Sequence, residues 1–269
     1  MTENQKFPVP DYSQSIECAL IYSGDKKEYP SLEKSINSII KAASKTNKKV
    51  LINIYSPRNS FFNTLNEGSF SHIQCEDYVN KQGKFEISKK KNFIFESSSA
   101  EILIIMHTRI CVHEDFFKNL IISDVRFGSP HVTTKNQSRY LDLCLYPKYK
   151  TPLLPHFGGK YMLNRYDHLL DFYIPYIDGG IIIFNREYVE SPPFDNNLCW
   201  GDEEDVALAV DLEKKGIKPQ WFSKILCTTQ TIKIYENYSF IRAAYLKTLS
   251  FLIYLSNLLK IGTNYFLKK

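Results

Sequence analysis

The run Ile102-Leu-Ile-Ile-Met106 is unbroken apolar sequence rich in β-branched residues. A strand covered on both faces of a sheet reads this way, because neither side of the pleat meets water. The run stops at three polar residues, His107-Thr108-Arg109, and an acidic helix start follows at Glu114-Asp115, with Phe116, Phe117 and Leu120 behind it. Open α/β sheets bind ligands at the carboxyl ends of their strands, so these polar residues are candidates for a site. An ordinary loop closing a core strand is the alternative.

Further elements surround this strand. Cys18-Ala-Leu-Ile-Tyr22 predicts a first buried strand ending at Ser23-Gly24-Asp25. Pro30-Ser31 opens a helix with Leu32, Ile36, Ile39, Ile40 and Ala43 on one face, and Val50-Leu-Ile-Asn-Ile-Tyr55 predicts a second strand stopped by Ser56-Pro57. Strand, helix and strand with short joints make a βαβ unit and so a parallel sheet. Residues 58 to 90 are less legible and run into Lys89-Lys90-Lys91, which reads as a solvated turn before a helix from Asn92 to Ser99. Residues 121 to 175, rich in Pro, Tyr and Lys, predict irregular structure with at most an edge strand, and loops of that length are usually functional. Gly179-Gly180 then leads into the strand Ile181-Ile-Ile-Phe184, and the acidic cluster after Trp200 opens a helix through Val206, Val210 and Leu212 that ends at Gly216.

The 269 residues suffice for one large or two small domains, and 43% apolar with 23% charged residues is a globular composition. The net charge of +5 is concentrated from Lys233 onward, where six basic residues face the single acid Glu236. Such a tail points to an anionic membrane surface and away from a domain that binds nucleic acid over its whole surface. Its stretch from Leu249 to Leu259 is mostly apolar, and as a helix it would serve a core, a dimer or a membrane interface. Six cysteines with neither a CxxC pair nor metal-ligand spacing read as reduced core residues of a cytosolic protein. The polar Met-Thr-Glu-Asn-Gln-Lys start has no apolar core of a signal peptide, and no stretch reaches the roughly 18 apolar residues of a spanning helix.

Together, the β-α-β start, the 92–109 segment and the 179–216 segment resemble family-2-like glycosyltransferases of the GT-A fold. In that family an Arg-Asn pair stands about fifteen residues before the strand that ends in the metal-binding DxD; here Lys91-Asn92 stands before His107. Gly179-Gly180-Ile-Ile-Ile-Phe184 and Trp200-Gly-Asp-Glu-Glu-Asp-Val206, with Lys215-Gly216, look like the family's later parts. The resemblance covers about two thirds of the chain. It implies an α/β, mostly parallel mixed sheet flanked by helices, with residues 1–237 as one domain and 238–269 as a basic, apolar helical tail.

For function the resemblance implies inverting transfer of a sugar from a nucleotide-diphosphate sugar to a hydroxyl of a glycan or lipid-linked glycan. The setting would be bacterial surface-polysaccharide assembly on the cytosolic face of the membrane. The general base falls at Glu204 or Asp205, with Asp202, Glu203, Trp200, Gly179 and Gly180 around the acceptor. An acidic first turn also suits the helix macrodipole without catalysis, and a core role for Trp200 stays open. Tyr22, Ser23, Tyr55, Lys91, Asn92, His107 and Arg109 would line the donor seat. The departure is at the DxD position: His107-Thr108-Arg109 lacks the hard oxygen ligands that Mg²⁺ or Mn²⁺ takes, so the expectation is a metal-independent enzyme with no cofactor. Two rivals are a catalytically silent glycan- or nucleotide-binding scaffold and a sugar-phosphate nucleotidylyltransferase. The latter wants a Gly-rich loop where Ser23-Gly24-Asp25-Lys26-Lys27 has one glycine.

Overall fold

The computed structural model describes residues 15–57, 69–149, 156–158 and 169–231, together with 245, 248, 251 and 252. Strand β1 (Ser15–Ile21) leads through a 3-10 turn into α1 (Tyr29–Ala43), and the chain returns as β2 (Lys49–Ser56). Pro30 stands in the first turn of α1, where its missing N–H costs nothing. The chain continues with β3 (Ser71–Gln74), α2 (Ile87–Ser97), β4 (Ile102–His107), β5 (Ile110–Val112), α3 (Phe116–Ile121) and β6 (Phe127–Thr133). After these come β7 (Leu143–Pro147), β8 (Phe157–Gly158), β9 (Tyr173–Ile177), β10 (Ile181–Asn185), α4 (Glu204–Lys214) and β11 (Gln220–Thr229).

Eight strands form one sheet in the order β3-β2-β1-β4-β10-β6-β11-β5, and β8-β7-β9 form a second, antiparallel one. In the larger sheet β3, β2, β1 and β4 run parallel, as do β6 and β11, while β10 lies antiparallel between β4 and β6. The expected α/β class with a mixed, mostly parallel sheet is what forms. Side chains alternate between two cores: Cys18, Leu20, Ile104, Met106, Ile181 and Ile183 meet α1 and α3, while Ala19, Ile21, Leu103, Ile105, Ile182 and Phe184 meet α2 and α4. This two-sided burial is the cause of the unbroken apolar runs.

Two expectations are corrected. Lys89-Lys90-Lys91 is no solvated turn: α2 begins at Ile87, and Lys90 and Lys91 are buried in it. Burial is possible because Lys90 Nζ donates to the Tyr22 carbonyl at 2.9 Å and Lys91 meets carboxylates of α4. Residues 121–175 hold more than an edge strand, since β6 is interior to the large sheet and β7 and β9 pair along their whole lengths. Of the 238–269 tail, Tyr245, Thr248, Phe251 and Leu252 are described and helical; the expected boundary at 237 and the rest of the tail lie outside the described residues. Among the described residues no helix is long and apolar enough to cross a membrane.

Candidate active site

The carboxyl end of β4 and the amino end of β10 meet at one edge of the sheet, where His107 N–H donates to the Gly180 carbonyl at 3.0 Å. Two hollows open there. One, of about 270 Å³, is lined by Asp178, Gly179, Gly180, Glu203, Glu204 and Asp205 among others. The other, of about 400 Å³, lies over the end of β1 and includes Ser23, Lys27, Glu28 and Thr108. His107, Arg109 and Trp200 line both, so they form the wall between two lobes of one cleft. The indole of Trp200 is half exposed and meets the His107 ring edge-on at 5.4 Å.

The acidic cluster opens α4 as expected, and its members separate by role. Asp205 accepts from Gly179 N–H at 2.7 Å, while its other oxygen has no hydrogen-bond partner among the described residues. Lys91 Nζ stands 3.3 Å from Glu204 Oε1 and 3.8 Å from Asp205 Oδ1, beneath the Phe194 ring at 5.0 Å. Burial, with the charge of Glu204 beside it, pushes the Asp205 carboxyl up to about 8 against the pull of Lys91. Burial acts on Glu204 in the same direction, but the Lys91 ammonium beside it holds it below the ordinary carboxylate range. One lysine thus serves two carboxyl groups, with burial raising the proton affinity of Asp205 and the ammonium lowering that of Glu204.

The glycine pair is dictated by crowding. A Cβ on Gly179 would lie 2.8 Å from Lys91 Nζ and 3.0 Å from Asp205 Oδ1; on Gly180 it would lie 3.0 Å from Arg109 Nη2 and 3.1 Å from Asp178 Oδ2. A bare backbone strip therefore has the carboxyl pair on one side and a guanidinium on the other. Arg109 Nη2 is 3.9 Å from Asp178, and its Nε and Nη2, both buried, have no hydrogen-bond acceptor among the described residues.

The other expected site residues divide. Ser23 lines the second lobe. Glu203 lines the first, left-handed at φ 63°, its carboxylate accepting from the Tyr146 hydroxyl at 2.8 Å. Asp202 is not in the cleft: it caps Cys199 N–H at 3.1 Å and pairs with Lys84 at 3.3 Å. Asn92 fastens the loop before the acidic cluster through both its amide atoms, to Phe194 and Asn196. Tyr22 and Tyr55, expected at the donor, do not line either lobe among the described residues. Their rings are buried, and their hydroxyls are committed to the Asp25 carbonyl at 3.0 Å and to Glu17 at 2.8 Å. Among the lining residues that escape the sequence-based expectation are Asp178, Tyr146, His156 and Tyr176. His156 stacks on Tyr176 and shares a 2.5 Å hydrogen bond with its hydroxyl. Only Asp178 carried a local signal, its place beside the glycine pair.

The strand end does not suit a divalent ion of the Mg²⁺ or Mn²⁺ kind, which takes several hard oxygens. It presents an imidazole, a threonine hydroxyl directed at Glu28 at 3.5 Å, and a guanidinium; the carboxylate nearest Arg109, Asp178, is turned toward that guanidinium and Gly180 N–H. Among the described residues no group of three or more His, Cys, Asp and Glu is placed to hold a metal.

Comparison with protein-family models gives no match, and comparison with curated proteins gives none either. Solved structures do match. GalNAc-T7 with UDP, GalNAc and Mn²⁺ aligns at a TM-score of 0.53 with 11% identity, over 80% of this chain and 44% of that one. S. aureus TarS 1-349 aligns at 0.47 with 12% identity, over 80% and 60%. The inositol-1-phosphate CTP transferase from T. maritima aligns at 0.46 with 9% identity, over 89% and 97%. The chain spans less than half of the GalNAc-T7 chain. The fold is of the GT-A type.

Proposed function

We propose that the protein transfers a sugar from a nucleotide-diphosphate sugar to a hydroxyl of a glycan acceptor, with inversion. The observation that supports this best is the strip Gly179-Gly180, with a carboxyl group of raised proton affinity on one side and, on the other, a guanidinium with N–H groups that find no acceptor among the described residues. Asp205 is the general base: its affinity for a proton lies near working pH, where a base is most effective. Glu204 and Lys91 fix its position and charge. Arg109 faces the leaving diphosphate, whose growing negative charge asks for a preorganised cation. Trp200, on the wall between the lobes, offers its exposed face to a sugar ring.

Metal independence belongs to the same proposal, because the chemistry of the strand end favours a fixed guanidinium over a bound cation. So does a membrane-linked acceptor in bacterial surface-polysaccharide assembly. The basic tail would hold the enzyme on the cytosolic face, and salt should weaken its binding to anionic vesicles. A silent scaffold has no use for a carboxyl group poised in this way.

The test is turnover of a panel of UDP- and GDP-sugars in EDTA, with transfer and slow donor hydrolysis both measured. Activity in the wild type and its loss in Asp205→Asn are expected. Equal activity in the two proteins would overturn the assignment of the base, and no turnover with any donor would favour the scaffold.

A further inference from the structure

Arg109 belongs to both lobes, yet its neighbour in the structure is a carboxylate of the protein itself. Asp178 Oδ2 lies 3.9 Å from Arg109 Nη2, too far for a hydrogen bond but close enough for attraction through the poorly hydrated interior. One hydrogen bond holds the carboxylate, and another holds the backbone that carries it. Gly180 N–H donates to it at 3.2 Å, and the Asp178 N–H donates to the Asp142 carbonyl at 2.9 Å. Asp142 is itself buried and clamped by Arg139 through three contacts between 2.8 and 3.1 Å. Asp178 therefore sits on an anchored backbone, and Arg109 is a cation near it with two nitrogens that have no hydrogen-bond acceptor among the described residues.

We propose that Asp178 is a positioning residue that parks Arg109 between the lobes, so that an incoming diphosphate takes the guanidinium over from it. The proposal rests on the transferase function inferred for this cleft and goes beyond it by coupling the two lobes. A diphosphate competes with Asp178 for one cation, so Asp178 weakens diphosphate binding and speeds its release. The carboxylate left behind then faces Asp205 across Gly179 with less neutralisation. The charged and titratable groups around Asp205 are Lys91 from α2, Glu204 beside it on α4, and Tyr176 and Asp178 from β9 and the turn after it. Of these, Asp178 is the one whose neutralisation a ligand in the donor lobe changes through Arg109. Its charge already favours the protonated form of Asp205, so a bound donor makes Asp205 the stronger base.

The test needs no knowledge of the sugar. Inorganic pyrophosphate is titrated calorimetrically into the full-length protein in EDTA, for the wild type, Asp178→Asn, Asp178→Ser and Arg109→Ala. Both Asp178 variants should bind pyrophosphate more tightly, on the order of tenfold for a little over one kcal/mol of released attraction, and Arg109→Ala should bind it at least tenfold more weakly. Carboxylate NMR of aspartate-labelled protein should show Asp205 titrating at lower pH in Asp178→Asn. A purely structural Asp178 would loosen binding in step with thermal stability and would not improve it. Unchanged or weaker pyrophosphate binding in both Asp178 variants overturns the proposal, as does wild-type binding in Arg109→Ala. Failure of the sugar-nucleotide panel would strike the transferase function and leave this titration readable.

Discussion

Lys91 Nζ lies 3.3 Å from Glu204 Oε1, and the lysine side chain is completely buried although the two residues are 113 positions apart. Two carboxyl groups at the cleft wall and one wholly buried ammonium make a set in which each member is tolerated because the others are present.

Lys91→Met should therefore be strongly destabilising. Removing one partner of a buried ion pair costs about 3–5 kcal/mol, because the remaining charge is left uncompensated. Chemical denaturation should show a lower midpoint with an unchanged slope. Because Lys91 holds down the proton affinity of Asp205, the variant should also titrate Asp205 at higher pH.

Asp205→Asn should lower turnover about 100-fold or more, as loss of a general base does, while pyrophosphate binding stays intact. In the wild type the base acts only when deprotonated, so the rate should rise with pH through a midpoint near 8. Stability runs the other way. A carboxyl raised from the ordinary aspartate value of 3.8 to about 8 stabilises the fold fully at low pH, and that contribution is lost as pH climbs through this window. A stability–pH profile of Asp205→Asn should lack that decline. An identical decline in the variant would show that another group is responsible.

Activity should survive EDTA, and Arg109→Ala should cost about 3–4 kcal/mol of transition-state stabilisation, the scale seen when one preorganised contact is removed. Arg109→Lys should recover part of this, since a point charge cannot reproduce the planar guanidinium fork. Turnover abolished by chelation and restored by Mn²⁺ would refute both the metal independence and the role of Arg109.

Gly179→Ala should fail more severely than its size suggests. The added methyl would meet Lys91 Nζ at 2.8 Å and Asp205 at 3.0 Å, and neither can retreat from its buried partner. Activity should fall at least as far as in Asp205→Asn, with a lower melting temperature. A fully active Gly179→Ala would mean that the carboxyl pair is not held against this backbone.

Legibility in the sequence followed burial. β1, β4 and β10 show as apolar runs because layers cover both their faces, and α1 shows because only one face is covered. β6, Phe-Gly-Ser-Pro-His-Val-Thr, hides among turn-forming residues. Its Gly128 is required because a Cβ there would lie 2.4 Å from the Phe222 ring, a partner far along the chain. Lys90 and Lys91 mislead for the same reason: a lysine looks solvated until the carbonyl or carboxylates that receive it are in place. The acidic cluster was legible as a motif. Which of its members turn inward was not, because Asp202 and Asp205 differ only in what the fold brings to them.

The hydrogen bond from His107 to Gly180 joins two strands that are 73 positions apart in sequence but immediate neighbours in the sheet. The placement of Arg109 against the Gly179-Gly180 strip is consequently set by one strand pairing, and Asp205 of α4 joins it through the Gly179 N–H. The exposed turn at 135–138, which lies between the two strands in sequence, is free to vary without moving the transfer centre.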